Sequence, residues 1–214
     1  MDKHIHIGVC KSRDDDRFKK SLTSFTDSLC GYYKHTLQIV ENKYLPDAQN
    51  EIASSFLDSN SKYLLLLDDD HWGHTREMLD CMLNSNELVT TMRTYSRHYP
   101  YVTAAWNWVN ENTTIPIERG DGYVKVDLTG FPMTLIRREV FDLLDKPYFR
   151  PFENGTRTWH SDVDFFGRLA KRGVKPVVCY QHILNHDIVT PQTVESLRFQ
   201  KLRENRNNDL IGGT

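Results

Sequence analysis

The sequence predicts an α/β fold in which a mostly parallel central sheet is flanked by helices. Three observations carry this expectation. Short apolar runs alternate with stretches of helical period from residue 5 to residue 83, in the order β-α-β-α-β-α. The run Tyr63-Leu64-Leu65-Leu66-Leu67 is apolar at every position, as a strand buried on both faces must be. It ends in Asp68-Asp69-Asp70, and open α/β sheets bind ligands at the carboxyl ends of their strands. A buried helical turn is the competing reading of the run. Acid followed by Trp72-Gly73, however, suits a strand that leaves the core into a turn.

The elements follow in order. Ile5 to Cys10 reads as the first strand, and Lys11 to Arg17 as the polar loop at its carboxyl end. Phe18, Leu22, Phe25 and Leu29 form one helical face, closed by Gly31. Thr36–Val40 is a second strand. A helix from Asp47 to Leu57, opened by Pro46-Asp47, turns Ala48, Ile52, Ala53, Phe56 and Leu57 inward. After the acidic strand comes a helix from Thr75 to Leu83, then a strand at Val89–Arg93. Tyr95 to Trp108 is dense in aromatics, which serve either as packed core or as a platform on which a sugar or base stacks. Glu111 to Gly122 is expected to be a polar loop, Tyr123–Leu128 and Met133–Ile136 strands, Arg138–Leu144 a short helix, and Pro147–Thr158 another loop. Ser161 is read as the N-cap of a helix running to Arg172, with Val163, Phe166, Leu169 and Ala170 inward. Pro176–Leu184 is the last strand, and Thr193–Arg206 a charged helix before a tail.

Composition narrows the class. The chain has 214 residues, 39% hydrophobic and 26% charged, with a net charge of −2. That describes an ordinary globular protein without the global positive field that recruits nucleic acid or anionic membrane. No apolar run approaches the roughly 20 residues that span a bilayer, and the amino terminus lacks the apolar stretch of a signal peptide. Cys10, Cys30, Cys81 and Cys179 form no CxxC pair, so reduced thiols and a cytoplasmic location are expected.

Three adjacent carboxylates repel one another, and burial sharpens the cost, so they need a cation or a solvated turn. A divalent ion with hard oxygen ligands, facing a phosphate-bearing substrate, meets that need. On an extended strand Asp68 and Asp70 share a side and Asp69 faces away, which makes Asp68 and Asp70 the metal candidates.

Four stretches resemble the GT-A glycosyltransferases of the family 2 type, in matching order. They are Asp68-Asp69-Asp70, like that family's DxD motif; Thr129 to Phe141, like the segment beneath its acceptor site; Trp159 to Leu169, like the start of its catalytic helix; and Val177 to His186, like a last strand ending in a metal-binding histidine. The resemblance covers residues 4 to 190 and implies a single GT-A (Rossmann-like) domain over 1–190. Residues 1–90 would form its nucleotide-sugar half and 91–190 its acceptor and catalytic half, with 191–214 a carboxyl-terminal helix and tail. It implies a metal-dependent inverting glycosyltransferase using Mn²⁺ or Mg²⁺ and a nucleoside-diphosphate sugar, UDP-linked by family default. Asp162 would be the general base, and His186, with His182 as rival, the third metal ligand beside Asp68 and Asp70. Lys11, Ser12, Arg13, Asn50, Asp68 and Asp69 would meet the donor, and one of Asp14 to Asp16 a ribose hydroxyl or the base. Trp106, Gly130, Trp159 and His160 would meet the acceptor. One departure stands out: Ser161 occupies the place of the glutamate that the family has beside the aspartate.

The acceptor stays open among glycan, protein, small molecule and a hydroxymethylated DNA base. For the last, Arg93, Arg97, Lys125 and Arg157 would have to form a cationic groove. Two other readings remain. One is a nucleotidyltransferase or phosphoesterase on the same aspartates, which calls for a second carboxylate set. The other is a non-catalytic nucleotide-sugar or glycan binding protein on the same fold.

Overall fold

The computed structural model describes residues 4–110, 113–154, 157–159, 161–187, 189–190, 192–198 and 200–201. In chain order the elements are β1 (His4–Lys11), α1 (Asp16–Leu29), β2 (Lys34–Glu41), α2 (Leu45–Asp58), β3 (Tyr63–Asp68), β4 (His71–Trp72), α3 (Arg76–Asn84) and β5 (Val89–Arg93). There follow β6 (Ala105–Asn110), β7 (Thr113–Pro116), β8 (Tyr123–Lys125), β9 (Leu128–Thr129), β10 (Met133–Arg137) and a 3-10 helix, Arg138–Leu143. The chain continues through β11 (Phe152–Asn154), β12 (Arg157–Trp159), α4 (Ser161–Ala170), β13 (Val177–Ile183) and β14 (Asn185–His186).

A seven-stranded sheet in the order β2-β1-β3-β10-β5-β13-β8 forms the centre. β2, β1, β3, β5 and β13 run in one direction, and β10 and β8 run against them. The expected α/β architecture is therefore the observed one, a mostly parallel sheet flanked by helices.

The all-apolar β3 explains how the layers form. Leu64 and Leu66 point into a core shared with Ile52 and Phe56 of α2 and Phe165, Phe166 and Leu169 of α4. Leu65 and Leu67 point the other way, into a core shared with Phe18, Leu22 and Phe25 of α1 and Leu79 and Met82 of α3. Burying a side chain of this size is worth roughly 1.5–3 kcal/mol, so β3 alone anchors both layers. α2 lies tightly on β1: a Cβ at Gly8 would fall 2.2 Å from Cγ2 of Ile52.

Several expectations need correction. The stretch expected to be a loop at 111–122 contains β7, hairpinned to β6, and β11 pairs with β12 inside the second expected loop. Ser161 is the first residue of α4 rather than its cap. The inward face of α4 carries Asp164 and Phe165, and Ala170 is exposed. Asp164 is tolerated there because Nε of Arg150 and Nε of Arg168 both donate to its carboxylate. The expected helix over 193–206 is seen only in part, helical at 194–198 and 200–201, with the rest outside the described residues. The expectation of reduced thiols also fails: Cys81 of α3 and Cys179 of β13 form a disulfide, leaving Cys10 buried and Cys30 exposed. These partners stand 98 positions apart and meet only because α3 packs on β13, so their spacing held no sign of the bond. Among the described residues no helix is long and apolar enough to cross a membrane.

Just beyond β4 the chain turns at Gly73, whose φ of +88° suits glycine, and His74 enters the core against Phe18 and Phe25. Oγ of Ser21 accepts from the amides of Gly73 and His74, so its own proton points at Nδ1 of His74, 2.8 Å away. The imidazole is therefore neutral. Burial, aided by the charge of His71, pulls its pKa from 6.5 down to about 3. A depressed histidine pKa adds nothing to stability above pH 6.5. Below that pH only the unfolded chain takes up the proton, so stability falls until the folded pKa is reached. His74 should thus remove about 1.4 kcal/mol per pH unit below 6.5. Urea unfolding from pH 7.5 to 5.0 should show this loss in the wild type and a shallower one in His74→Gln, which keeps an acceptor for Ser21. Equal slopes would exclude it.

Candidate functional site

The site forms where β3 leaves the sheet, and each carboxylate of the triplet is treated differently. Asp69 is 5% exposed and accepts from the backbone amides of Ser12 at 2.5 Å and Arg13 at 2.8 Å. It pins the β1 loop beside the triplet, which is why Ser12 and Arg13 arrive there. Asp68 is half-buried at the end of β3. Burial first, and then the charges of Asp70, Asp162 and Asp69, push its pKa well above the usual carboxylate range.

Asp70 draws partners from three segments. Nη2 of Arg13 and Nη1 of Arg97 each lie 3.3 Å from its Oδ2, and Nε2 of His186 lies 3.2 Å from the same oxygen. Nδ1 of His71 is 2.7 Å from Oδ1. Burial alone would raise the Asp70 pKa, but the two imidazoles outweigh it and hold the carboxyl well below its usual range. Burial also depresses the His71 pKa, which favours the neutral imidazole, the form that ligates metals.

A short antiparallel pairing sets this geometry. β4 and β14 pair His71 with His186 and Trp72 with Asn185, and the two imidazoles stack at 4.1 Å. The amide of Asp187 donates to the carbonyl of Asp70, extending the register by one step.

The donor set fits a divalent cation. Nδ1 of His186 lies 2.6 Å from the carbonyl of Tyr95; a carbonyl only accepts, so Nδ1 donates and Nε2 is left to face Oδ2 of Asp70 at 3.2 Å. With its proton Nε2 donates to the carboxylate, and without it the lone pair offers a cation a second ligand beside Asp70. Metal-binding histidines commonly donate their other N–H to such a carbonyl. Oδ1 of Asp70 and both ring nitrogens of His71 are buried without a hydrogen-bond partner. His71 sits close to Oδ1 but off the line of a hydrogen bond. One ligand atom from each of Asp70, His71 and His186 can be chosen so that all lie within 4.8 Å of one another. Two imidazoles and a carboxylate favour Mn²⁺ over Mg²⁺.

The structure thus brings Asp70 and His186 together, as expected, but replaces Asp68 with His71 as the third member. His71 was not foreseen, although it directly follows the triplet; its role depends on a two-residue strand that has no sequence signal.

Two cavities meet at the triplet, and Asp68 and Asp70 line both. One, of about 330 Å³, runs between the β1 loop and α2 and includes Lys11, Ser12, Arg13 and Asp69. The other, of about 210 Å³, continues past His71 and His186 to Gly130 and Asp162. Asp162 stands in the first turn of α4, its Oδ1 accepting from the amide of Val163. That helix rests on an aromatic cluster in which Phe149 and Phe165 stack at 4.9 Å.

Other expected residues lie elsewhere. Asn50 spends its amide on the backbone of Pro46 and on both backbone groups of Phe149, so it clamps α2 to a loop and does not reach the donor cavity. Asp15 caps α1 and pairs with Arg17, which lowers its pKa to about 2, while Asp14 pairs with Lys19 in solvent. Trp106 packs against the core and lines neither cavity. Ser161 is buried and donates to Oε1 of Gln49 at 2.6 Å, joining α4 to α2. Arg138 donates to the carbonyls of Phe56, Leu57, Ser59 and Ser61 at the carboxyl end of α2. Of the residues that a cationic groove for DNA would need, Arg97 pairs with Asp70 and Lys125 with Glu87. His160 and the side chains of Arg157 and Trp159 lie outside what the structure describes.

Comparisons with solved structures identify the fold. A197 from STIV superposes with a TM-score of 0.58 at 13% identity, covering 87% of this chain and 86% of that one. GalNAc-T7, crystallised with UDP, GalNAc and Mn²⁺, gives a TM-score of 0.54 at 10% identity over 85% of this chain. The present chain spans 43% of GalNAc-T7. No protein-family model and no curated protein sequence matches the chain. The fold is of the GT-A-like, Rossmann type; at these identities the likeness concerns fold alone.

Isothermal titration with Mn²⁺ should separate the ligands from their neighbours. Asp70→Ala, His71→Ala and His186→Ala should each weaken binding at least tenfold, since losing even a supporting partner of a metal ligand costs about 10–100-fold. His182→Ala should bind as the wild type does. Unchanged affinity in His71→Ala would return the third position to Asp68.

Proposed function

We propose that the protein is a metal-dependent inverting glycosyltransferase that moves a sugar from a nucleoside-diphosphate sugar, UDP-linked by preference, to an acceptor hydroxyl. The observation that carries this reading is the wall shared by the two cavities. Asp68 and Asp70 face a space lined by Lys11 and Arg13 on one side and a space ending at Asp162 on the other. A donor whose diphosphate lies at the triplet would point its sugar toward Asp162. The likeness in fold to GalNAc-T7, whose structure holds UDP and Mn²⁺, supports the donor and metal classes.

In this reading Asp70, His71 and His186 hold a divalent ion, which when bound supplies Lewis-acid stabilisation of the departing diphosphate. The nucleotide occupies the larger cavity, where Lys11, Arg13 and Lys43 supply positive charge and Tyr44 offers a ring. Asp69 positions the β1 loop rather than touching the donor. Arg13 and Arg97, already beside Asp70, balance the charge that builds on the leaving group. Asp162 accepts the proton of the acceptor hydroxyl as that oxygen attacks the anomeric carbon from the face opposite the diphosphate, and a single displacement inverts the centre. Gly130 lies beside this carboxylate; a Cβ there would make an ordinary contact, 3.8 Å, with Oδ2 of Asp162. Residues 1–90 then serve as the donor half and 91–190 as the acceptor half, with 191–214 appended. Trp159 and His160, which precede Asp162 in the chain, are proposed as acceptor contacts on the strength of the motif resemblance.

A phosphoesterase or nucleotidyltransferase using two metals is less well supported. Among the described residues Asp70, His71 and His186 are the one group with metal-ligand convergence.

Thermal-shift measurements with nucleoside-diphosphate sugars test the donor site, because a ligand specific for the folded state raises Tm by mass action. One donor should stabilise the wild type with Mn²⁺ and not without it, and Asp70→Ala should lose the shift. Asp162→Asn should keep the shift while nucleoside-diphosphate release falls about 10²–10⁴-fold, the usual contribution of a positioned base. NMR of the product should show the inverted anomer. Donor binding without turnover in the wild type would make the protein a binding module, and no stabilisation by any donor would overturn the proposal.

A further inference from the structure

A separate cavity of about 570 Å³ lies beside the metal-competent cluster, lined among others by Arg93, Tyr95, Tyr99, Glu118, Arg119 and Arg198. Its volume is within the range of small-molecule sites. It adjoins the site already described through one residue: Tyr95 lines this cavity, and its carbonyl holds Nδ1 of His186.

The charges on its wall do not balance. Among the described residues Glu118 is the one carboxylate lining it, and Arg198 takes that charge at 3.3 Å. Arg198 is further committed to the carbonyls of Pro100 and Tyr101, so it serves to hold the loop that forms the rim. Arg93 is half-buried, with its guanidinium over the rings of Tyr95 and Tyr180 at 5.5 and 5.0 Å. Its Nη2 reaches only uncharged acceptors, the hydroxyl of Tyr95 and the carbonyl of Glu118. Arg119 is exposed, and among the described residues it has no ion-pair or hydrogen-bond partner. Two cations thus face one space without a counter-ion, one of them partly desolvated and held in place by aromatic rings. Guanidinium groups present paired donors that match phosphoryl oxygens, and Tyr99, 41% exposed, offers a face on which a ring can stack.

We propose that this cavity is a second ligand site, taking a ring-bearing molecule that carries a doubly charged phosphoryl group. Arg93 and Arg119 receive the phosphoryl group and Tyr99 receives the ring. The group arrives either as part of the acceptor of the proposed transfer or on a separate small molecule; the chemistry of recognition is the same.

Titration with phenyl phosphate, without donor and without metal, tests this independently of the transfer reading. Wild-type protein should bind it, with inorganic phosphate binding more weakly because it lacks the ring. Arg119→Ala, at an exposed position with no hydrogen bond or ion pair to lose among the described residues, and Tyr99→Ala should each weaken phenyl phosphate at least tenfold. Asp70→Ala, on the other side of Tyr95, should bind it unchanged. Absence of binding to the wild type overturns the proposal, as does binding that survives Arg119→Ala or that is lost in Lys43→Ala of the donor cavity. Where transfer is measurable, competition with the acceptor assigns the phosphoryl group to that molecule, and inhibition without such competition assigns it to a separate one; both outcomes support the site.

Discussion

Three adjacent carboxylates at the exit of a fully buried strand form the constraint on which the rest of this structure depends. Desolvation and mutual repulsion both oppose their ionisation, so each must be compensated or lose its charge. Asp69 is compensated by two backbone amides, Asp70 by two imidazoles and two guanidiniums, and Asp68 by a pKa raised through burial. The compensating groups come from the β1 loop, the segment after β5 and the end of β14. Much of the chain's long-range organisation is thus directed at one charge problem, and its solution brings those segments to a common point.

The β4–β14 pairing makes the solution specific. Strands of two residues contribute little stability on their own, but this pair fixes which residues meet. A slip of one residue would turn both side chains away from the site and bring Trp72 or Asn185 toward Asp70. The disulfide from α3 to β13 ties down the strand that leads into β14, and the Tyr95 carbonyl accepts from Nδ1 of His186. The orientation of the histidine ring is therefore set by backbone atoms.

Neighbouring carboxylates with opposite pKa shifts commonly mark a division of labour. Here Asp70 is held ionised beside the imidazoles, Asp68 is pushed toward its neutral form, and Asp162 stands across the smaller cavity. Cations follow the same logic on both sides of Tyr95. Arg13 pairs with Asp69, Asp70 and Asp187 and Arg97 shares Asp70, whereas among the described residues Arg93 and Arg119 face a cavity without a matching acid.

The chain by itself determined the layers and the place of the site. An all-apolar β3, amphipathic α1 and α2, and acid at a strand end are local patterns, readable because burial imposes its period on the sequence. Asp70 was read from the acid at a strand end, whereas His186 and Asp162 were candidates only through a resemblance in the order of motifs. What only the tertiary structure decided are the pairings between distant segments. His71 entered the cluster through a strand too short to leave a pattern. Asp69 and Asn50 turned inward to bind backbone, Ser161 found Gln49, Arg138 capped α2, and Cys81 met Cys179. The physical reason is common to all of them. A polar side chain does not encode which partner will satisfy it; that choice is made when the packed core brings one donor and one acceptor within about 3 Å and excludes water from both.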